Sequence, residues 1–297
     1  MEEINKNMPN FDSLWNYGNP KETEDKFRSL LDEAKSFGDN SYHAQLLTQI
    51  ARTQGLQRKF EEAHKILDDV EKLLTDDMVV ARMRYYLERG RAFNSSNHPD
   101  KARPLFMKSY ELGKENNEGF FIVDVVHMLG IVDKGEDSLK WNELAIKTAE
   151  ESEDKRAKDW LGSLYNNTGW SLHDMKEYER ARDYFERNVK WQEERNSKQE
   201  LFIAKWCVAH TYRLLNKIED ALKMQMDLLK EMEEKNIDQD GFVYEEIGEC
   251  LLLLDRGDDS KEYFKKAYEL LSKDDWFVSN EKERLERIKK WANKKVN

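Results

Sequence analysis

The stretch Tyr165-Asn166-Asn167-Thr168-Gly169-Trp170-Ser171-Leu172, followed by Ala181 and Phe185, decides the fold of this 297-residue chain. A glycine inside a helical pattern costs roughly 1 kcal/mol relative to alanine, so it marks a place where another group must come close. Gly169 is one of a series. Small residues recur inside helical patterns at Ala51, Gly90, Gly130, Gly169, Ala209 and Gly248, in steps of 39, 40, 39, 40 and 39 residues. Four places before them stand Leu47, Tyr86, Val126, Tyr165 and Tyr244, with Lys205 the exception, and three places after stand Phe93, Leu172, Tyr212 and Leu251. Offsets of three and four place these residues on one helix face.

A second helix is expected about ten residues after each small residue. It carries Ala63, Ala102, Ala181, Ala221 and Ser260, and four positions later Leu67, Phe106, Phe185, Gln225 and Phe264. Each unit is therefore a helical hairpin with one apolar seam, which must be buried by stacking on neighbours. The pattern resembles the tetratricopeptide repeat family, with Tyr165, Gly169, Leu172, Ala181 and Phe185 the fullest match, and Tyr244, Ile247, Gly248, Leu251, Phe264 and Ala267 the next. The period exceeds the family's usual repeat of about 34 residues. The resemblance implies an all-α, right-handed α-solenoid of about six hairpins over residues 41–272. Residues 1–40 form an N-terminal segment and capping helix, and 273–297 a C-terminal capping helix, the whole being one structural domain. In the third unit the loop after Gly130 is short and the second helix lacks the signature, so an irregularity is expected there.

The ends carry helix punctuation. Asn19-Pro20 makes an N-cap and first-turn pair for a helix over Phe27, Leu30, Leu31 and Ala34, closed by Gly38. Ser279 is expected to cap the last helix, with Leu285, Ile288 and Trp291 inward. The segment around Trp15 and Tyr17 should tuck against the first helix. No apolar run approaches the roughly 20 residues of a membrane span. The start of the chain has neither a basic nor an apolar leader region, which points to the cytoplasm. A net charge of -11 is the wrong sign for holding nucleic acid. Cys207 and Cys250 are too isolated for a disulfide framework or a zinc cage and read as reduced structural thiols.

Phosphate loops, paired metal-binding histidines and nucleophile elbows are absent from the sequence, so no enzyme, metal or cofactor is expected. The chain reads as a stand-alone repeat protein without a second domain, and the resemblance implies binding on the concave wall formed by the first helices. A stripe at offsets of -6, -3, +1 and +4 from each small residue lies away from the packing face. It carries Arg52, Arg84, Arg91, Asp124, His127, Asn166, Trp170, His173, Trp206, His210, Arg213, Glu245 and Glu249. Arginine and tryptophan are favoured at binding surfaces because rigid planar groups give contact and forked hydrogen bonds at low entropic cost.

Two readings of this stripe stand side by side. As a recognition surface, it takes up a protein or peptide segment with Trp170 and Trp206 as anchors and Arg52, Arg84 and Arg91 on an anionic end. The acidic Glu245, Glu246 and Glu249 would then sit at the opposite end of a charge gradient. As structure, the tryptophans pack between hairpins and the arginines pair with Glu88, Glu245 or Glu249. A signalling-peptide receptor is a variant of the first reading, and an enzyme using His127, His173 and His210 is a distant alternative. The clamp of tetratricopeptide domains that bind chaperone tails is echoed by Asn166 alone. Trp141, Trp160, Trp191 and Trp276 are assigned to packing, and the oligomeric state is left open.

Overall fold

A computed structural model describes residues 8–235 and 238–294; the leader reading of residues 1–7 lies outside them. A short 3-10 helix, Phe11–Leu14, precedes α1 (Pro20–Ser29) and α2 (Leu31–Phe37). The hairpins then follow: α3 (Asn40–Leu56) with α4 (Phe60–Leu73), α5 (Val79–Ser95) with α6 (Pro99–Asn116), and α7 (Gly119–Val132) with α8 (Gly135–Glu151). After the single turn α9 (Lys155–Lys158) come α10 (Leu161–Asp174) with α11 (Tyr178–Arg195), α12 (Lys198–Leu214) with α13 (Ile218–Lys235), and α14 (Gly241–Leu253) with α15 (Gly257–Leu271). The chain closes on α16 (Asp275–Asn280) and α17 (Lys282–Ala292). The fold is all-α, with no strand among the described residues. The chain divides into two compact units, residues 1–164 and 165–297.

The repeated small residues do what their spacing predicts. A methyl carbon on Gly169 would lie 2.7 Å from Cδ1 of Phe185, and one on Gly90 the same distance from Cδ1 of Phe106. No real side chain tolerates that approach, so the ring sixteen residues on packs flat on the glycine backbone and fixes the two helices close together. Phe106, Phe185 and Phe264 are fully buried, as are Ala63, Ala102, Ala181, Ala221 and Ser260 on the same helices.

The turn inside each hairpin repeats as well. Arg58, Asn97, Lys176, Asn216 and Asp255 all have φ between 58° and 67°. In each case the next residue's amide donates to a carbonyl five residues back: Lys59 to Gln54, His98 to Phe93, Glu177 to Leu172, Lys217 to Tyr212 and Arg256 to Leu251, at 2.8–3.0 Å. This left-handed closure satisfies carbonyls that a helix end leaves open.

The third hairpin is irregular, as expected, and the reason is a shortened turn. After Gly130 the second helix arrives four residues early and presents Asn142, whose Cγ would lie 3.1 Å from a methyl on Gly130. Ser138 Oγ donates to the Gly130 carbonyl at 2.5 Å. An amide and a hydroxyl thus occupy the place held by an aromatic ring in the second, fourth and sixth hairpins.

The ends differ in detail from the sequence reading. Asn19 accepts from the Glu22 amide as an N-cap and Gly38 closes with φ 83°, but Leu30 interrupts the expected single helix into α1 and α2. Ser279 does not cap the last helix. It lies inside α16, and Glu281 precedes α17 without a side-chain cap. Ile288 is buried among Phe264, Phe277 and Leu271, with Leu285 and Trp291 packed against them. At the other end Phe11, Phe27, Tyr42 and Ile50 form the core under Trp15.

Candidate functional site

Unit 1 holds a cavity of about 640 Å³, walled by the 3-10 segment, by the inner faces of α3, α5 and α7, and by α9 with the start of α10. The stripe spacing brings Arg52 from α3, Arg84 and Arg91 from α5, and Asp124 from α7 onto its wall. Between them run carboxylate links. Arg91 Nη1 donates to Glu88 Oε1 at 2.7 Å, and its Nη2 donates to Asp124. Arg84 pairs with Asp12 and lies over the rings of Phe11 and Phe121 at 5.4 and 5.2 Å. Trp15 donates to Gln49 Oε1 at 3.1 Å and stacks on Tyr17 at 4.7 Å.

Arg52 is held differently from its neighbours. Its side chain is 24% exposed, against 8% for Arg84 and 9% for Arg91. Its one ion pair among the described residues is a loose 3.6 Å from Nε to Glu88 Oε2. Burial, and next the charge of Arg91, push its pKa below the ordinary guanidinium value, whereas Arg91, against the cost of its burial, is raised by Asp124 and Glu88. Arg52 therefore faces the cavity with its terminal nitrogens unengaged. His127 tilts over Trp160 at 5.2 Å with Nδ1 buried and unpaired. Its own burial, opposed by Asp124 and aided by Arg91, lowers its pKa and favours the neutral ring.

In unit 2 the same stripe builds a ladder of rings. Trp170 and Trp206 stack at 6.3 Å, Trp206 and His210 at 5.0 Å and 9°, and Trp170 lies edge-on to His173 at 4.9 Å. Phe242 continues the row at 6.1 Å from Trp206. Beneath the rings, Arg213 donates twice to Glu246, from Nε and Nη2, both at 2.8 Å. His210 Nδ1 lies 3.0 Å from Glu246 Oε1, and His210 Nε2 lies 3.3 Å from His173 Nε2. Burial would raise the pKa of Glu246, but the hydrogen bonds from His210 and Arg213 outweigh it and bring it down to about 2. Glu245 behaves oppositely: burial dominates and raises its pKa, despite two 2.7 Å bonds from Arg284. Glu249 pairs with Arg287.

The expected charge gradient is thereby corrected. Glu88, Asp124 and Asp12 neutralise the arginines of unit 1. In unit 2, Arg213, Arg284 and Arg287 neutralise the three glutamates, because half-buried charges of one sign are costly without partners. Of the three histidines, His173 and His210 come together, while His127 packs against Trp160 in unit 1. Asn166 is half-buried, with its Oδ1 4.0 Å from the Cys207 sulfur. Burial pushes the thiols of Cys207 and Cys250 up to about 12.

Two tryptophan assignments change. Trp160 lines the unit 1 cavity, and Trp276 is 62% exposed. Asp12, Gln49, Glu88, Arg156, Arg284 and Arg287 were not singled out as site residues by the stripe. Only Glu88, three residues before Arg91, carried a local signal. No group of three or more metal-ligating side chains is arranged around a common point among the described residues, and no helix there is long and apolar enough to cross a membrane.

Residues 162–195 match the tetratricopeptide repeat family. That stretch is a tetratricopeptide repeat. No curated protein matches it in sequence. Among solved structures it is similar to a signal-transduction ATPase with a tetratricopeptide repeat sensor from Pyrococcus horikoshii, at 16% identity and TM-score 0.69, over 91% of this chain and 42% of that one. The chain thus spans less than half of that protein. It is also similar to apo RapI, at 14% identity and TM-score 0.72, over 93% and 83% of the two chains. A third likeness is to apo NprR, a quorum sensor of B. thuringiensis, at 13% identity and TM-score 0.66, over 96% and 82%. NprR in complex with its cognate peptide NprX gives TM-score 0.53 at 13% identity, over 97% and 84%. At these identities the likeness concerns the fold.

Proposed function

We propose that the protein binds a peptide or protein segment through the inner faces of its first helices, and that Arg52 takes a carboxylate of that segment. The observation that carries this reading is the pair of unengaged terminal nitrogens of Arg52, opening on a cavity of about 640 Å³ with Trp160, Phe120 and Tyr17 on its walls. A planar fork of donors beside aromatic surfaces suits a carboxylate flanked by apolar side chains. Arg84 and Arg91 hold the wall and contribute field rather than direct grip. In unit 2 the Trp170 and Trp206 rings offer a second set of flat contacts for apolar side chains, with Asn166, His173 and His210 beside them.

A receptor for a short signalling peptide is the form of this reading supported by the quorum sensor NprR, whose complex with NprX has the same fold. The test uses the full chain against a displayed library of random peptides with free carboxyl termini. Enriched peptides should lose at least tenfold in affinity when Arg52 is replaced by alanine. They should lose as much when the peptide's carboxylates are amidated. Equal binding in both comparisons would remove Arg52 from the site.

A further inference from the structure

We propose that His173 and His210 hold a transition-metal ion, zinc or a first-row neighbour of similar preference, between their Nε2 atoms. The inference rests on what faces each ring nitrogen. Glu246 accepts two N–H bonds from Arg213 and lies 3.0 Å from His210 Nδ1. Arg213 Nη2, a donor, also lies 3.4 Å from His210 Nδ1, but the shorter contact is to Glu246. A carboxylate can only accept, so Nδ1 of His210 carries the hydrogen and Nε2 of the neutral ring is left with its lone pair. His173 Nδ1 lies 3.3 Å from Asp174 Oδ1, which assigns its hydrogen in the same way. The two Nε2 atoms then face one another at 3.3 Å with a lone pair each and no hydrogen between them. Ring centroids 5.4 Å apart show that the imidazoles meet nitrogen to nitrogen rather than face to face.

Two lone pairs brought this close call for a cation. Two Zn–N bonds of about 2.0–2.1 Å at a tetrahedral angle place their nitrogens about 3.3 Å apart, and that is the observed spacing. A carboxylate on the far nitrogen of a metal-bound imidazole is the usual outer partner, since it fixes the tautomer and makes the ligand more basic. Glu246 stands in that place. Trp206, stacked on His210 at 5.0 Å, and Trp170, edge-on to His173, restrict both rings. The side chains are 12% and 22% exposed, so solvent reaches the pair and water supplies the remaining ligands. Imidazole nitrogen with water suits zinc, cobalt, nickel and copper better than calcium or magnesium, which take oxygen.

The experiment is a titration of the chelator-treated full chain with cobalt chloride, read by the visible absorption of four-coordinate cobalt, followed by displacement with zinc chloride in a calorimeter. One ion per chain is expected. His173→Ala and His210→Gln should each weaken binding at least tenfold while leaving the helical circular dichroism unchanged. His173 is at the solvent-facing end of α10, so its variant tests the site even if that of His210 folds poorly. Glu246→Gln should weaken binding by about 10- to 100-fold. Failure of the wild type to bind, or equal binding by the wild type and His173→Ala, overturns the proposal and leaves a proton shared between the two rings as the only bridging cation.

Discussion

The cavity of unit 1 and the ring ladder of unit 2 are built from the same stripe of the same repeat, yet they are stabilised by different physics. In unit 1, three guanidinium groups are threaded by Asp12, Glu88 and Asp124, and the aromatic rings serve as walls. In unit 2, the rings of Trp170, Trp206, His210 and Phe242 pack on one another, and a single carboxylate, Glu246, holds their polar edge. The difference teaches that the repeat dictates which positions share a helix face, while the chemistry at those positions is free to vary.

The largest effect expected is that of Arg91→Ala, which leaves Glu88 and Asp124 buried with their main counter-charge gone. Removing one partner of a buried charge network costs about 3–5 kcal/mol, read as a lower urea midpoint. A loss below about 1 kcal/mol would mean that the unit 1 network is well solvated and the contrast with unit 2 is false.

Next comes the acid response of unit 2. Glu246 has its pKa lowered from 4.5 to about 2 in the folded chain. A carboxylate shifted down stabilises the fold above its unfolded pKa, and that stabilisation disappears as pH falls through the folded value. The shift corresponds to about 3 kcal/mol, lost between about pH 5 and pH 2. Denaturant titrations across that range should show the slope in the wild type and a flatter one in Glu246→Gln. Equal slopes would detach Glu246 from His210 and Arg213.

Replacing Trp206 by alanine sharpens the comparison from the apolar side. The ring is half-buried between Trp170, His210 and Phe242, so the cost should be about 2 kcal/mol, with the near-ultraviolet circular dichroism altered and the helical signal kept. Collapse of the helical signal would instead make the ladder the core of its unit.

Arg52→Ala should have the smallest effect on stability, within about 0.5–1 kcal/mol, because its one ion pair among the described residues is 3.6 Å long. The same variant is the one expected to lose the peptide. A stability loss equal to that of Arg91→Ala would show Arg52 to be one more strut of the network.

The hairpins were legible because each depends on neighbours at short, regular offsets. Gly169 and Phe185, sixteen residues apart, report a backbone contact that recurs at Gly90 and Phe106, and a periodic list of small and aromatic residues suffices to find it. The break at Gly130 was visible for the same reason, although its cause, a shortened turn that presents Asn142, was not. The left-handed turn residues Arg58 and Lys176 gave no sign, since arginine and lysine are not the residues that this backbone conformation selects.

What the sequence by itself determined is therefore the helix pairing, the seam each hairpin buries and the shared helix face that carries Arg52, Trp170, Trp206 and His210, because periodicity within and between helices is a property of the chain order. What only the tertiary structure decided is which charges meet. Arg84 with Asp12, and Arg91 with Asp124, join residues 72 and 33 positions apart. No repeat period announces such pairs. They arise from side chains brought together by packing, and they turn a charge gradient into locally neutral networks that leave Arg52 loosely held and two imidazoles facing each other.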